Sequence, residues 1–176
     1  TPGQSAPVIF TVAGKRVAFA AYNHSSTNPG RDIYPDLFLN QFDPDQVAGD
    51  VKDMKEKADI VIASIHWGTD YSFFHEQWQR KAAEQIAEAG ADIIMGHHSH
   101  TLQAFETIGS TLVFYGLGSL AFGDFERNGR MYALYRRTKH SAVFITDESC
   151  RLTEAVATHE RKGNCIVPGR KDIIRR

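Results

Sequence analysis

Apolar residues recur along this chain with two different periods, and the change of period delimits the predicted elements. Two apolar-rich runs, 8–12 and 16–22, flank Ala13-Gly14-Lys15. Short β-prone runs separated by a glycine-containing turn predict a β-hairpin, with Gly14 supplying the positive φ of the turn. The stretch 23–44 is rich in Asn, Ser, Pro and Asp and predicts a loop. Its His24 is most simply a polar surface residue.

Helices and buried strands alternate in the middle of the chain. An amphipathic helix is predicted over 45–58, which places the Gly49-Asp50 pair inside it. A second helix is predicted from Ser72, its cap, to about Ala89, with its buried side formed by Phe74, Trp78, Ala82 and Ile86. Those aromatic residues are better explained as core packing than as a cofactor site. Gly90 then ends the helix in a left-handed conformation.

Continuous apolar runs predict the strands that these helices connect. They cover 59–65, 92–95 and 111–115. Strands that lack polar alternation are typical of a parallel sheet covered on both faces, and right-handed crossovers join such strands. Later in the chain, 131–137, 141–147 and 151–159 alternate enough to predict antiparallel strands. The predicted class is therefore α/β, followed by β structure.

Composition narrows the class of protein without identifying it. The chain has 176 residues, enough for one domain with a substantial core, and 42% of them are hydrophobic. Its formal net charge is −1, so we expect no electrostatic binding of nucleic acid. We also expect no membrane segment and no signal peptide within this sequence. Cys150 and Cys165 could form one disulfide in an oxidising compartment, or remain two structural thiols.

The densest chemistry lies in Gly96-His97-His98-Ser99-His100, directly after a predicted buried strand. His66 ends the preceding predicted strand in the same way. The carboxyl ends of neighbouring parallel strands meet at one edge of a sheet, which is where open α/β sheets place their ligands. Because neutral imidazole is the commonest protein ligand for transition metals, the pattern predicts a metal site at this edge. The competing interpretation is a set of surface histidines in polar turns.

A set of motifs in this order resembles the CapA/PgsA family of bacterial capsule, or poly-γ-glutamate biosynthesis, proteins. The resemblance covers about 7–125, leaving 126–176 as C-terminal strands and a tail of the same single domain. The motifs are His66-Trp67-Gly68, Gly90-Ala91-Asp92, Gly96-His97-His98-Ser99-His100, Gln103, Glu106 and Tyr115-Gly116-Leu117-Gly118-Ser119. Membership implies a calcineurin-like metallophosphoesterase fold, a β-sandwich flanked by helices with metals at the strand ends.

The resemblance also suggests roles for individual residues. His66, His98 and His100 match the family's histidines and are the predicted metal ligands, while His97 occupies a variable position. The metal implied is divalent zinc, manganese or iron. His97 and Asp70 are the candidates for proton transfer. The candidates for substrate binding are Trp67, Gln103, Glu106, Tyr115 and Ser119.

Two features depart from the family pattern. Ser99 replaces the usual Pro of the histidine loop, and Ser119 replaces the usual Asn after Leu-Gly. The family's strand-end Gly-Asp and its Asn-Leu-Glu stretch do not occur before Val8, and Gly123-Asp124 comes too late in the chain. We therefore expect this sequence to correspond to the C-terminal part of the family domain. An upstream segment or a partner chain would then complete the site.

Three functions remain open on the sequence alone. The first is a metal-dependent, phosphoesterase-like hydrolase in capsule or poly-γ-glutamate metabolism, in the cell envelope or outside the cell. The second is a non-catalytic binding or assembly module for an anionic polymer or a partner subunit. The third is an amide hydrolase that uses the same site, since a metal hydroxide can attack either kind of bond.

Overall fold

The computed structural model describes residues 6–24, 39–120, 125–132, 140–161 and 165–168. Within these ranges there are two helices, α1 (Pro44–Lys55) and α2 (Gln77–Glu88). The strands are β1 (Val8–Val12), β2 (Lys15–Asn23), β3 (Ile60–His66), β4 (Ile93–His97), β5 (Phe105–Ile108), β6 (Thr111–Phe114), β7 (Phe125–Arg127), β8 (Arg130–Tyr132), β9 (His140–Thr146), β10 (Leu152–Arg161) and β11 (Cys165–Pro168).

A six-stranded mixed sheet in the order β1-β2-β3-β4-β6-β5 forms the centre of the molecule. Strands β2, β3, β4 and β6 run parallel, whereas the hairpins β1–β2 and β5–β6 are antiparallel. This confirms the predicted hairpin and the predicted parallel strands. Strand β5 was not predicted, because its four residues are too few to establish an alternation before the Gly109 turn.

The core lies between this sheet and the two helices. Helix α1 buries Val47, Val51 and Met54, and α2 buries Ala82, Ala83 and Ile86. Both helices connect adjacent parallel strands, so right-handed crossovers place them side by side on one face. Gln85 on α2 donates to Asp45 on α1 at 2.5 Å, which links the two helices directly.

The start of the second helix differs from the prediction. Helix α2 begins at Gln77, with Glu76 as its N-cap, and the backbone N–H of Glu76 donates to the Gln79 side chain at 2.7 Å. Ser72 instead forms a local turn, in which its hydroxyl donates to the carbonyl oxygen of Phe74 and accepts from the Phe74 N–H. Phe74 is therefore not on a buried helix side, and it is 81% exposed.

A second, three-stranded sheet in the order β11-β10-β9 follows in the chain. Phe144 of β9 contacts Phe114 and Phe105 of the central sheet, with ring centroids 4.2 and 5.7 Å apart. The predicted strands 141–147 and 151–159 are confirmed. Only the first part of the predicted 131–137 strand falls in β8, and 133–139 lie outside the described residues. Cys150 is a buried free thiol.

No helix among the described residues is long and apolar enough to cross a membrane.

Candidate metal centre

The parallel register brings the predicted histidines together at one edge of the central sheet. His66 is the last residue of β3 and pairs in register with His97, the last residue of β4. The chain is then held across the edge by backbone hydrogen bonds, from Trp67 to the carbonyl of His97 and from His24 to the carbonyl of His66. The predicted convergence of the two histidine loops is thus seen in the structure.

Two imidazoles approach each other closely at this edge. Nε2 of His66 and Nδ1 of His98 lie 2.7 Å apart, so that one ring donates a hydrogen bond to the other. Zinc–imidazole bonds of about 2.0–2.1 Å put two ligand nitrogens on one ion roughly 3.3 Å apart. A small movement of either ring would therefore place both nitrogens on a common ion.

The environment favours the neutral imidazole form of His66, His97 and His100. Burial, together with the neighbouring rings of His98 and His97, lowers the pKa of His66 to about 4. Burial lowers the pKa of His97 and of His100 as well. Metal ligands must be deprotonated, so this environment favours the form of imidazole that binds a cation.

The other polar residues of the cluster are Asp70, His100 and His97, and each has contacts of its own. Asp70 Oδ1 is 3.7 Å from His98 Nε2, and the Asp70 side chain is 53% exposed. His100 uses Nδ1 in a hydrogen bond of 3.0 Å with the Ser119 hydroxyl, and its ring centroid lies 6.4 Å from that of His98. His97 uses Nε2 in a hydrogen bond of 3.1 Å with Ser64. Within the part of the chain that is described, no three His, Cys, Asp or Glu side chains close around one position.

The donor chemistry therefore fits a divalent metal, whereas a complete ligand set is not assembled. His66 and His98 would hold the ion as imidazole ligands. A catalytic zinc ion needs about three protein ligands and an open position. The third ligand has to come from a turn of the His100 ring or from outside the described residues.

Left-handed backbone shapes the two loops that carry this cluster. His98 has φ 106° and His100 has φ 54°, while Gly68 and Tyr71 in the facing loop have φ 83° and 61°. Non-glycine residues avoid this region, and such outliers collect at functional sites. The loops are tied together by a hydrogen bond from the Tyr71 N–H to the Ser99 carbonyl and by one from the Thr101 hydroxyl to the Ser72 carbonyl.

The five predicted substrate-binding residues do not share one environment. Trp67 and Tyr115 are each 1% exposed, with stacked rings, and the indole N–H of Trp67 donates to the Tyr115 carbonyl at 3.1 Å. Both side chains belong to the hydrophobic core, together with Ala82, Ala83 and Ile86 of α2. Gln103 donates to the carbonyls of Ser72 and Phe74 and so holds the loop after β3.

Glu106 has two partners of its own. It accepts from the Tyr115 hydroxyl at 2.7 Å and from Arg80 Nε at 3.2 Å. Burial and this carboxylate raise the pKa of Tyr115 above its usual range. The imidazole of His75 stacks on the Tyr115 ring with centroids 3.7 Å apart.

Sequence reasoning missed Ser64, Arg80 and His75. Of these, Ser64 carried a usable signal. It lies two residues before His66 on β3, and the period of two puts alternate strand residues on the same face of a sheet. A polar residue at that position in an otherwise apolar run indicates a hydrogen-bond partner at the site. Arg80 contacts Glu106 and His75 stacks on Tyr115 only because α2 and the residues just before it pack against the sheet.

Comparison with known proteins gives a family match over most of the chain. The model of the family described as bacterial capsule synthesis protein PGA_cap matches residues 2–124. The chain is similar to the PGA biosynthesis protein CapA of Bacillus subtilis, with 40% identity over 80 residues, 46% of this chain and 21% of that protein. It is also similar to the capsule biosynthesis protein CapA of Bacillus anthracis, with 32% identity over 133 residues, 74% of this chain and 29% of that protein. The chain thus spans less than a third of the length of these relatives.

Among solved structures, a phosphatase from Mycoplasma pneumoniae resembles this chain with a TM-score of 0.51 at 10% sequence identity. The match covers 92% of this chain and 54% of that protein. At this identity the likeness shows the fold alone. It confirms the predicted α/β class, with a central sheet and few helices among the described residues.

Proposed function

This chain belongs to the PGA_cap family of bacterial capsule synthesis proteins, and from that premise we propose that its histidine cluster is a metal-dependent, phosphoesterase-like hydrolase site. The capsule relatives favour an anionic polymer such as poly-γ-glutamate, or a phosphoester, as substrate. They also favour a location in the cell envelope. The observation that carries the proposal is the 2.7 Å approach of His66 and His98 from neighbouring parallel strands.

In this proposal His66 and His98 are metal ligands and His100 is the third. A bound divalent metal, zinc, manganese or iron, would lower the pKa of a bound water and polarise a phosphoryl or acyl oxygen. Asp70 is then the residue best placed to take or return a proton, because it faces His98 and is half exposed. His97 is the weaker candidate, since its ring is turned to Ser64.

The substrate-binding roles follow from exposure. Glu106, whose side chain is 33% exposed, lies at the rim together with Arg80, 49% exposed, and this ion pair would face a polymer. Trp67 and Tyr115 would act from the core by fixing the histidine loops. Ser119 would act through His100, and Gln103 through the loop after β3.

Metal titration combined with turnover tests this function. The chain is titrated with Zn²⁺ and Mn²⁺ by calorimetry, and hydrolysis of bis(p-nitrophenyl) phosphate and of poly-γ-glutamate is measured for the unchanged chain, His66→Ala and His98→Ala. We expect metal binding and metal-dependent turnover that both variants lose. Glu88→Ala, at the exposed C-terminal end of α2 outside the cluster, serves as the control and should retain both. Turnover that persists in His98→Ala would refute the proposal, and cleavage of the polymer alone would indicate the amide hydrolase.

A binding or assembly module is the second candidate function. It is favoured by the finding that no three ligating side chains close around one point in the described residues. This function predicts saturable binding of poly-γ-glutamate without turnover in the presence of metal. A titration that shows no binding would eliminate it. If turnover appears only after another polypeptide is added, the site is completed by a partner chain.

A further inference from the structure

The hydroxyl of Ser119 lies 3.0 Å from Nδ1 of His100, and the residue is 8% exposed. Ser119 follows the left-handed Gly118, and its N–H donates to the carbonyl of His140 on β9. Gly118 leaves no room for a side chain, because a methyl group there would overlap the His140 backbone. The hydroxyl is therefore delivered to His100 by a backbone segment fixed against the second sheet.

A serine hydroxyl can accept a hydrogen bond from Nδ1–H of an imidazole or donate one to a bare Nδ1, and only the first case leaves the lone pair on Nε2. When a hydroxyl accepts a hydrogen bond from Nδ1–H, the lone pair of the ring is on Nε2, the nitrogen that can bind a metal. Ring partners of this kind set both the tautomer and the orientation of ligating histidines. On this basis we propose that Ser119 is a positioning residue, which holds His100 in the Nδ1–H tautomer with Nε2 as its ligating nitrogen.

The proposal rests on the function proposed above only in giving His100 a metal to bind. At position 119, where the resemblance to the CapA/PgsA family placed Asn, the serine of this chain provides a hydrogen-bond partner for His100.

Ser64 provides the internal comparison. It makes the corresponding hydrogen bond of 3.1 Å, but to Nε2 of His97. His97 is not among the proposed ligands, so its hydrogen bond to Ser64 is the same kind of contact at a ring to which no metal is assigned. Removing the two hydroxyls one at a time separates a general effect of a lost hydrogen bond from the effect on a ligating ring.

The first test needs no metal. Two-bond ¹H–¹⁵N correlation spectra of the metal-free chain report the tautomer of His100. We expect the Nδ1–H form in the unchanged chain and in Ser119→Thr, and a mixture of tautomers in Ser119→Ala. An Nε2–H form in the unchanged chain, or a spectrum that Ser119→Ala leaves unaltered, would overturn the proposal. Thermal unfolding of each variant establishes that it is folded.

The second test measures the affinity for Zn²⁺ alone by calorimetry. Loss of an outer partner of a ligating histidine typically costs about 10- to 100-fold in metal affinity. We expect that loss in Ser119→Ala, recovery in Ser119→Thr, and less than about a threefold change in Ser64→Ala. Equal losses in Ser119→Ala and Ser64→Ala would contradict a specific role for Ser119. If the unchanged chain binds no Zn²⁺, the metal function fails, while the spectra still decide whether Ser119 fixes His100.

Discussion

The two ends of strands β3 and β4 differ in the partners of their polar side chains. Where the strands begin, each acidic residue has backbone and cationic partners. Asp92 accepts from the Val61 N–H and from Lys55, both at 2.7 Å, and Asp59 accepts from the Arg16 N–H at 2.7 Å. Where the strands end, histidines contact one another, and His98 and His100 have left-handed backbone.

The difference separates an end that stabilises the sheet from the end proposed to bind a metal. Carboxylates with satisfied hydrogen bonds fix the register of the sheet where β3 and β4 begin. The left-handed backbone of His98 and His100 stores strain where the strands end, and such strain persists only where the surrounding structure holds it. Substitutions at the first end should therefore change stability, while substitutions at the second end should change metal binding with a smaller effect on stability.

The largest effect is expected at Gly96, which joins the core to the histidine end. A methyl group on Gly96 would overlap the carbonyl oxygens of Tyr115 and Phe114 and the indole nitrogen of Trp67. Since most of these atoms belong to backbone and cannot turn aside, Gly96→Ala should lower the free energy of unfolding by about 3 kcal/mol or more. Urea denaturation followed by circular dichroism measures this.

Gly49→Ala is the matched control, because nothing lies within 4 Å of the methyl group it would add in α1. It should raise the free energy of unfolding by roughly 0.5–1 kcal/mol, since alanine replaces glycine inside a helix. Equal changes in the two variants would show that the contacts around Gly96 do not limit the packing.

The next effect is expected at His98, at the histidine end. His98→Ala should weaken Zn²⁺ binding by at least 100-fold, or about 2.7 kcal/mol, because it removes one of two converging nitrogens. His98→Gly should weaken Zn²⁺ binding equally. Its free energy of unfolding should be at least about 1 kcal/mol higher than that of His98→Ala, since glycine accepts φ 106° without strain. Calorimetry and denaturation measure the two quantities. A less stable glycine variant would contradict the assignment of backbone strain to this loop.

A smaller effect on stability is expected at Asp92, at the opposite end. Asp92→Ala leaves the Val61 N–H and Lys55 without their carboxylate, and the side chain is only 26% exposed. We expect a loss of about 1–2 kcal/mol in the free energy of unfolding. Zn²⁺ affinity, measured in the same samples, should be unchanged. A parallel loss of metal affinity would indicate that the two ends are coupled.

The smallest effect is expected at Asp59, and it should depend on pH. The hydrogen bond from the Arg16 N–H lowers the pKa of Asp59. A carboxyl whose pKa is lowered in the folded state stabilises the protein above its unfolded pKa of about 3.9. That contribution is lost as the pH falls through the folded value. The unchanged chain should therefore be slightly more stable than Asp59→Asn at pH 7, and the gap should close below about pH 4. A gap that persists at pH 2.5 in urea melts would contradict this origin.

Much of the sheet could be predicted from the sequence. The hairpin around Gly14, the parallel strands that end at His66 and His97, and the later antiparallel strands all have patterns that local chemistry determines. The predicted family is confirmed as well, by the family model that matches residues 2–124. Its motifs could be recognised because they lie in one continuous stretch of the chain. The second helix was the main exception. Ser72 fits a cap by sequence, but Thr101 and Gln103 bind its carbonyl from a distant loop, and the helix starts at Gln77 instead.

The sequence by itself indicated which residues meet at the sheet edge, because each histidine lies at the end of a continuous apolar run and the carboxyl ends of neighbouring parallel strands share one edge. Only the tertiary structure decided what each ring does there. His97 and His100 differ by three positions, yet one is hydrogen-bonded to Ser64 and the other to Ser119. These partners lie on β3 and after β6, far from the loop in sequence, so that only packing between elements could assign them.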